Sequence, residues 1–111
     1  GGKIVDNAYI FLLQNTENED HKFYFDIIAP KEYEGKIKIQ KPSAPFRAKP
    51  GVKKKKVVVL YTDEMIVSDA TKDTIIPITI RAYAIDDKER IVVDRHTTFI
   101  FPRKDVYEAA K

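Results

Sequence analysis

Apolar and polar residues alternate with a period of two along much of this chain, the spacing of a strand with one covered face. The clearest stretch is 74–102. Residues 75–85 and 91–101 read as two long strands joined by the charged turn Asp86-Asp87-Lys88-Glu89-Arg90, a strong hairpin signal. Pro77 falls inside the first strand and brings no backbone donor. In a central strand it must lie at the start or face a gap in the ladder, so regular pairing is expected to begin near Ile78. Ile78, Ile80 and Ala82 are then inward, and Thr79, Arg81 and Tyr83 outward.

The same spacing recurs upstream. Lys22-Phe23-Tyr24-Phe25-Asp26-Ile27 puts Phe23, Phe25 and Ile27 on one face and the polar residues on the other. Lys36-Ile37-Lys38-Ile39-Gln40 is a shorter strand with lysines outward. Residues 8–14 alternate little. A bounded apolar run of this kind is a strand covered on both faces or a fragment of buried helix. Its β-branched and aromatic content, with the turn-forming residues 15–20 after it, favours strand. Pro42, Pro45 and Pro50 confine the segment before Gly51 to an edge or a meandering crossing. Residues 56–62 resume a strong strand. The long connection 63–73 carries Met65-Ile66-Val67, expected to tuck a helical turn under the sheets.

Six or seven strands with no convincing helix must cover one sheet with another, so the expected fold is an all-β antiparallel sandwich of about seven strands. The expected organisation is a linker, appended remnant or edge strand over residues 1–6, a sandwich over 7–102 and a polar tail over 103–111 that forms at most a fraying helical turn. A chain of 111 residues has room for one domain with one core. It contains no Cys and no Trp, so the core hallmarks of antibody domains are missing and no tyrosine corner is evident. Any immunoglobulin-like assignment is therefore of the cysteine-free kind. No disulfide, iron–sulfur cluster or zinc–thiolate site can form from these residues alone. No apolar run reaches the ~20 residues of a spanning helix.

Candidate chemistry is sparse. Ser43 and Ser68 lack a nucleophile elbow, and the four glycines are not clustered into a phosphate loop. His21, His96 and Met65 are residue types that suit copper, but no two of them have local chelating spacing, and two exposed histidines are the plainer reading. Residues 17–20 are the best acidic cluster for a calcium ion, though neighbouring acids in turns usually keep a loop solvated. No catalytic residue, cofactor-binding residue or metal ligand is therefore expected, nor any small-molecule substrate.

Charge is more informative. Residues 31–56 hold ten Lys and Arg against two Glu, in a chain whose net charge is only +3. Lys53, Lys54, Lys55 and Lys56 form the densest part. Functionally they are a contact for an anionic surface: lipid headgroups, nucleic acid or an acidic partner. Structurally they are gatekeepers that keep the sticky run Val57-Val58-Val59-Leu60 in solution. The gatekeeper reading outweighs the contact reading, and lipid outweighs nucleic acid because the aromatics fall mostly at inward positions rather than on a stacking platform.

The two ends of the chain carry a resemblance. Asn7-Ala8-Tyr9-Ile10-Phe11-Leu12-Leu13-Gln14-Asn15-Thr16 resembles the opening of the C-terminal immunoglobulin-like domain in the FixG/CcoG family of cytochrome c oxidase accessory proteins. Thr98-Phe99-Ile100-Phe101-Pro102 is similar to that domain's ending, with Phe101 where the family usually has Gly. Lys49-Pro50-Gly51 and Pro77-Ile78-Thr79-Ile80 resemble internal parts of it. The resemblance implies a membrane-anchored, polyferredoxin-like protein. Its spanning helices and 4Fe–4S cluster cysteines lie upstream of a periplasmic domain of this kind. It further implies a non-catalytic interaction or structural domain whose partners are oxidase-assembly proteins, with the anionic membrane surface as another. A generic extracytoplasmic adhesion or carbohydrate-binding sandwich is the alternative. Tyr24 and Tyr83 are its candidate outward aromatics.

Overall fold

In a computed structural model, which describes residues 3–89 and 91–109, seven strands form two sheets packed face to face. Gly1 and Gly2 of the expected linker, Arg90 of the expected turn, and Ala110 and Lys111 of the tail lie outside the described residues. The strands are β1 (Val5–Gln14), β2 (His21–Ile28), β3 (Lys38–Lys41), β4 (Phe46–Ala48), β5 (Lys53–Thr62), β6 (Thr74–Ala84) and β7 (Val92–Phe101). One sheet has the order β1-β5-β3 and the other β4-β2-β6-β7. Every pair within the sheets is antiparallel. The expected sandwich is therefore present, with strands long enough to stretch the molecule to 51 × 25 × 20 Å.

The core follows from the alternation. Phe11 and Leu13 of β1 and Val58 and Leu60 of β5 face inward from one sheet. Phe23, Phe25, Ile76, Ile78, Ile80, Ala82, Phe99 and Phe101 face inward from the other. Phe11 and Phe25 meet edge to face across the two sheets with ring centroids 5.1 Å apart, an arrangement worth more than its buried area alone. Phe46 of the short edge strand β4 closes the open side, 5.6 Å from Phe25.

Pro77 sits within β6, opposite Thr98, in an unbroken ladder with β7. The pairing with β2 explains how. β2 meets β6 only from Thr79 onward, where Ile28 stands opposite it. The N–H and C=O of Ile100 both turn away from β6, towards the Asn7 side chain. Residues in alternate positions share that outward orientation, so Pro77 turns its nitrogen away from β7, into the space past the end of β2. No ladder bond is lost there, so regular pairing starts at Thr74, four residues before Ile78.

Several expectations are corrected. Residues 5–14 form one strand rather than an edge piece followed by a separate run, and its second face is exposed rather than covered. Residues 63–73 contain no helical turn; Ile66 and Val67 pack against the core from an irregular loop. There, Asp69 Oδ1 accepts bonds from the Thr71 N–H, the Thr71 hydroxyl and the Lys72 N–H, local turn bonds that compete with a helix. The tail is not merely polar. Helix α1 (Lys104–Ala109) buries Tyr107 against Phe101, 5.2 Å between ring centroids, and Lys3 Nζ lies 5.4 Å from the centroid of the Tyr107 ring. The folded unit thus extends past 7–102 at both ends.

Candidate functional site

Lys53, Lys54, Lys55 and Lys56 lie within β5, not in a loop before it, and the pleat splits them into two pairs. Lys54 and Lys56 point to the inner side, opposite Leu13 and Phe11. Their ammonium groups lie 6.0 and 4.6 Å from the Phe46 ring, and Lys54 Nζ also donates to the Arg47 carbonyl at 3.1 Å. Their aliphatic stems cover the rim of the core while the charge reaches water. This pair is structural. Lys53 and Lys55 point the other way, opposite Gln14 and Leu12 on the outer face.

That outer face brings together residues the sequence alone did not join. Along β1 it presents Asp6, Ala8, Ile10, Leu12 and Gln14; along β5, Tyr61, Val59, Val57, Lys55 and Lys53. β3 adds Lys38 beside Tyr61 and, past a bulge, Lys41 beside Val59. Ile10 is 70% exposed, and Leu12 and Val57 are each 56% exposed. The weak alternation of residues 8–14 was the available signal. A strand apolar at both parities is either buried on both sides or offers a sticky second face.

The outer face of the four-stranded sheet differs. Tyr24 stands opposite Tyr83, and Asp26 opposite Arg81, which in turn stands opposite Asp94. Arg81 donates to both carboxylate oxygens of Asp94, at 2.7 and 3.0 Å. That bond holds the Asp94 carboxyl below its ordinary value. Of the expected aromatic platform, the Tyr24 hydroxyl donates to the Pro42 carbonyl at 2.8 Å, and Lys88 Nζ lies 4.4 Å over the Tyr83 ring. Both rings are therefore engaged within the molecule.

His21 corrects the reading of two exposed histidines. It is 6% exposed at the start of β2, with Nδ1 at 3.0 Å from both Asp86 oxygens. The bond to the imidazole holds Asp86 below the usual carboxylate range. Sixty-five positions separate the two, so no local spacing announced the pair. His96 lies exposed on β7 and meets the Thr79 hydroxyl at 2.9 Å. Among the described residues no three His, Cys, Asp or Glu are grouped to hold a metal. In the acidic loop, buried Asn15 is the organiser: its amide donates to the carbonyls of Glu19 and Ala48 and accepts from the Glu17 N–H. Lys49, Pro50 and Gly51 turn the chain into β5, with Gly51 at φ 73° as the third position of a type II turn requires.

The two end motifs meet in space. β1 and β7 are the edge strands on one side of the sandwich, and the Asn7 side chain closes the gap as a peptide group would. Its amide donates to the Ile100 carbonyl and its oxygen accepts the Ile100 N–H, both at 3.1 Å. Tyr9 donates to the Thr98 carbonyl at 2.8 Å, and burial pushes its phenol up to about 12. The opening motif therefore fastens the first strand to the last. A family model described as "IG-like fold at C-terminal of FixG, putative oxidoreductase" matches residues 1–102. The chain belongs to this family. No curated protein and no solved structure matches it. The FixG-type module is thus a cysteine-free immunoglobulin-like sandwich, and its Phe101, where the resemblance expects Gly, is a fully buried core residue stacked against Tyr107. Without cysteine it has no thiolate to offer an iron–sulfur cluster.

Proposed function

We propose that this domain is a non-catalytic interaction and structural module on the extracytoplasmic side of a membrane-bound iron–sulfur protein that serves cytochrome c oxidase assembly. The observation that carries the reading is the family match over residues 1–102. The chemistry of the chain agrees with a passive role. The buried polar side chains Asn15, His21 and Thr62 are each engaged in a hydrogen bond within the fold. Any clusters would be held by other parts of the protein, and its partners would be components of the assembling oxidase.

The test replaces the coding segment for this chain by a flexible linker in the host and follows oxidase by haem spectra and activity. Loss of assembled oxidase, with the rest of the protein still in the membrane, is the expected result. Unchanged oxidase overturns the assembly role. A phosphatase reporter fused after the domain tests the side of the membrane: it is active only if exported. The adhesion or carbohydrate-binding alternative depends on Tyr24 and Tyr83, and glycan-array binding lost on Tyr83→Ala would promote it.

A further inference from the structure

The outer face of the β1-β5-β3 sheet combines two features that seldom coincide on a surface made only for solubility. Its centre is apolar, with Ile10 directly opposite Val57 and Leu12 one step further along. Its rim is basic: Lys53 and Lys55 on β5, Lys38 and Lys41 on β3. On the strands of this face the acidic group is Asp6, opposite Tyr61, and Asp63 lies 3.6 Å from Lys38 at that end. In the β1–β2 loop, Asp20 faces Arg47 of the other sheet at 3.9 Å.

From this geometry we infer that the face docks on the anionic headgroup surface of a lipid bilayer. Ile10, Leu12 and Val57 seat at the boundary between headgroups and acyl chains, and the lysines lie over lipid phosphates. Apolar side chains flanked by lysines are the composition that interfacial binding needs, because burial and attraction to anionic lipid add together. A nucleic acid would want aromatic or hydrogen-bonding groups where this face has aliphatic ones. The inference stands apart from the oxidase-assembly role, since it uses only this chain and lipid.

The splitting of the lysine run supplies the test. Co-sedimentation of the full chain is measured with vesicles of equal parts phosphatidylcholine and phosphatidylglycerol, and with phosphatidylcholine alone. Binding is expected to the anionic vesicles only and to weaken with salt. Replacing Lys53 and Lys55 by Gln is expected to lower it about thirty-fold, taking each lysine near an anionic surface at its usual strength. Replacing Lys54 and Lys56 by Gln removes the same charge from the other side and is expected to change binding less than about twofold, because only facing charges fall within a Debye length of lipid. Ile10→Ser with Leu12→Ser should weaken the binding that survives high salt. These outer positions are exposed, and circular dichroism checks that each variant is folded. Equal losses from the two lysine pairs, equal binding to neutral vesicles, or no binding at all overturns the proposal. So does a stable dimer by sedimentation that Ile10→Ser dissolves, which would assign the face to a second copy.

Discussion

The two sheets share one core but finish their outer faces in different ways. The four-stranded sheet pairs charged groups across its outer face, and beside them leaves Ile75 and Ile100, which stand opposite each other, exposed. Asp26, Arg81 and Asp94 run across three strands in alternating charge, Tyr24 stands opposite Tyr83, and Lys88 lies over the Tyr83 ring. Arg81 and Asp94 bond across β6 and β7, as cross-strand pairs do on a surface that meets water. The three-stranded sheet leaves Ile10, Leu12 and Val57 bare and sets lysines around them. Scattered exposed apolar residues mean little; here three lie together beside lysines, which is the ground for the docking proposed above. The difference teaches that one outer face is finished with cross-strand charge pairing and the other with aliphatic side chains and lysines.

The comparison assumes that both sheets belong to one cooperative unit, and the largest expected effect tests that. Phe25→Ala removes the ring that meets Phe11 from the opposite sheet and Phe46 from the edge. A loss of about 3–5 kcal/mol is expected for such a truncation, in a single denaturant transition followed by fluorescence and circular dichroism together. Two separate transitions would show the sheets to be independent and break the comparison at its base.

Next in size is the seam between the sheets. Asn7→Ala deletes both bonds to the Ile100 backbone and leaves the β7 edge open at that point. About 1–2 kcal/mol is expected at two partly exposed hydrogen bonds, measured by urea denaturation. Tyr9→Phe, which loses one bond to Thr98, should cost less than Asn7→Ala. If Asn7→Ala is neutral, β1 belongs to its own sheet alone and the two faces are not fixed relative to one another by this contact.

A smaller effect separates the two faces by charge. The bidentate bond from Arg81 depresses the Asp94 carboxyl in the folded state. A carboxyl depressed on folding contributes stability above its ordinary value of about 3.9 and loses it as pH falls through the lower, folded value. Asp94→Asn should therefore be less stable than the parent at neutral pH, with the gap closing below about pH 4. Thermal melts across that range check it. On the three-stranded face, Lys55→Gln has no comparable bond to lose and should leave the pH profile unchanged.

Much of this was legible in the chain. Strict alternation marked β2 and β6 with their inward residues, because a half-covered strand writes its burial into every second position. The lysine run was visible as charge, but its division into Lys54 and Lys56 over Phe46 and Lys53 and Lys55 outside depends on β5 starting at Lys53 and not Lys56. That start is fixed by pairing with Gln14 of a strand about forty residues away. The bond from His21 to Asp86 and the Asn7 clasp on Ile100 were hidden for the same reason. Each joins residues whose separation only the topology closes, and no local spacing records it. Pro77 was readable as a problem; its solution, the early end of β2, was not.

The smallest expected effect tests the comparison most directly. Leu12 and Leu13 are neighbours of identical chemistry on β1, one 56% and the other 2% exposed. Leu13 fills the core, so Leu13→Ala should cost about 2–5 kcal/mol. Leu12→Thr removes apolar surface that already meets water and keeps a residue suited to a strand, so its stability should stay within about 0.5 kcal/mol of the parent. Ile10→Thr is expected to behave alike, since Ile10 is the more exposed of the two outer residues. Both should shorten retention on a hydrophobic-interaction column. A cost at Leu12 comparable to that at Leu13 would mean that the outer face is already covered within the molecule. Near-neutral stability with reduced retention means instead that folding gains nothing from these side chains, and their apolar character is then explained only by what the face touches.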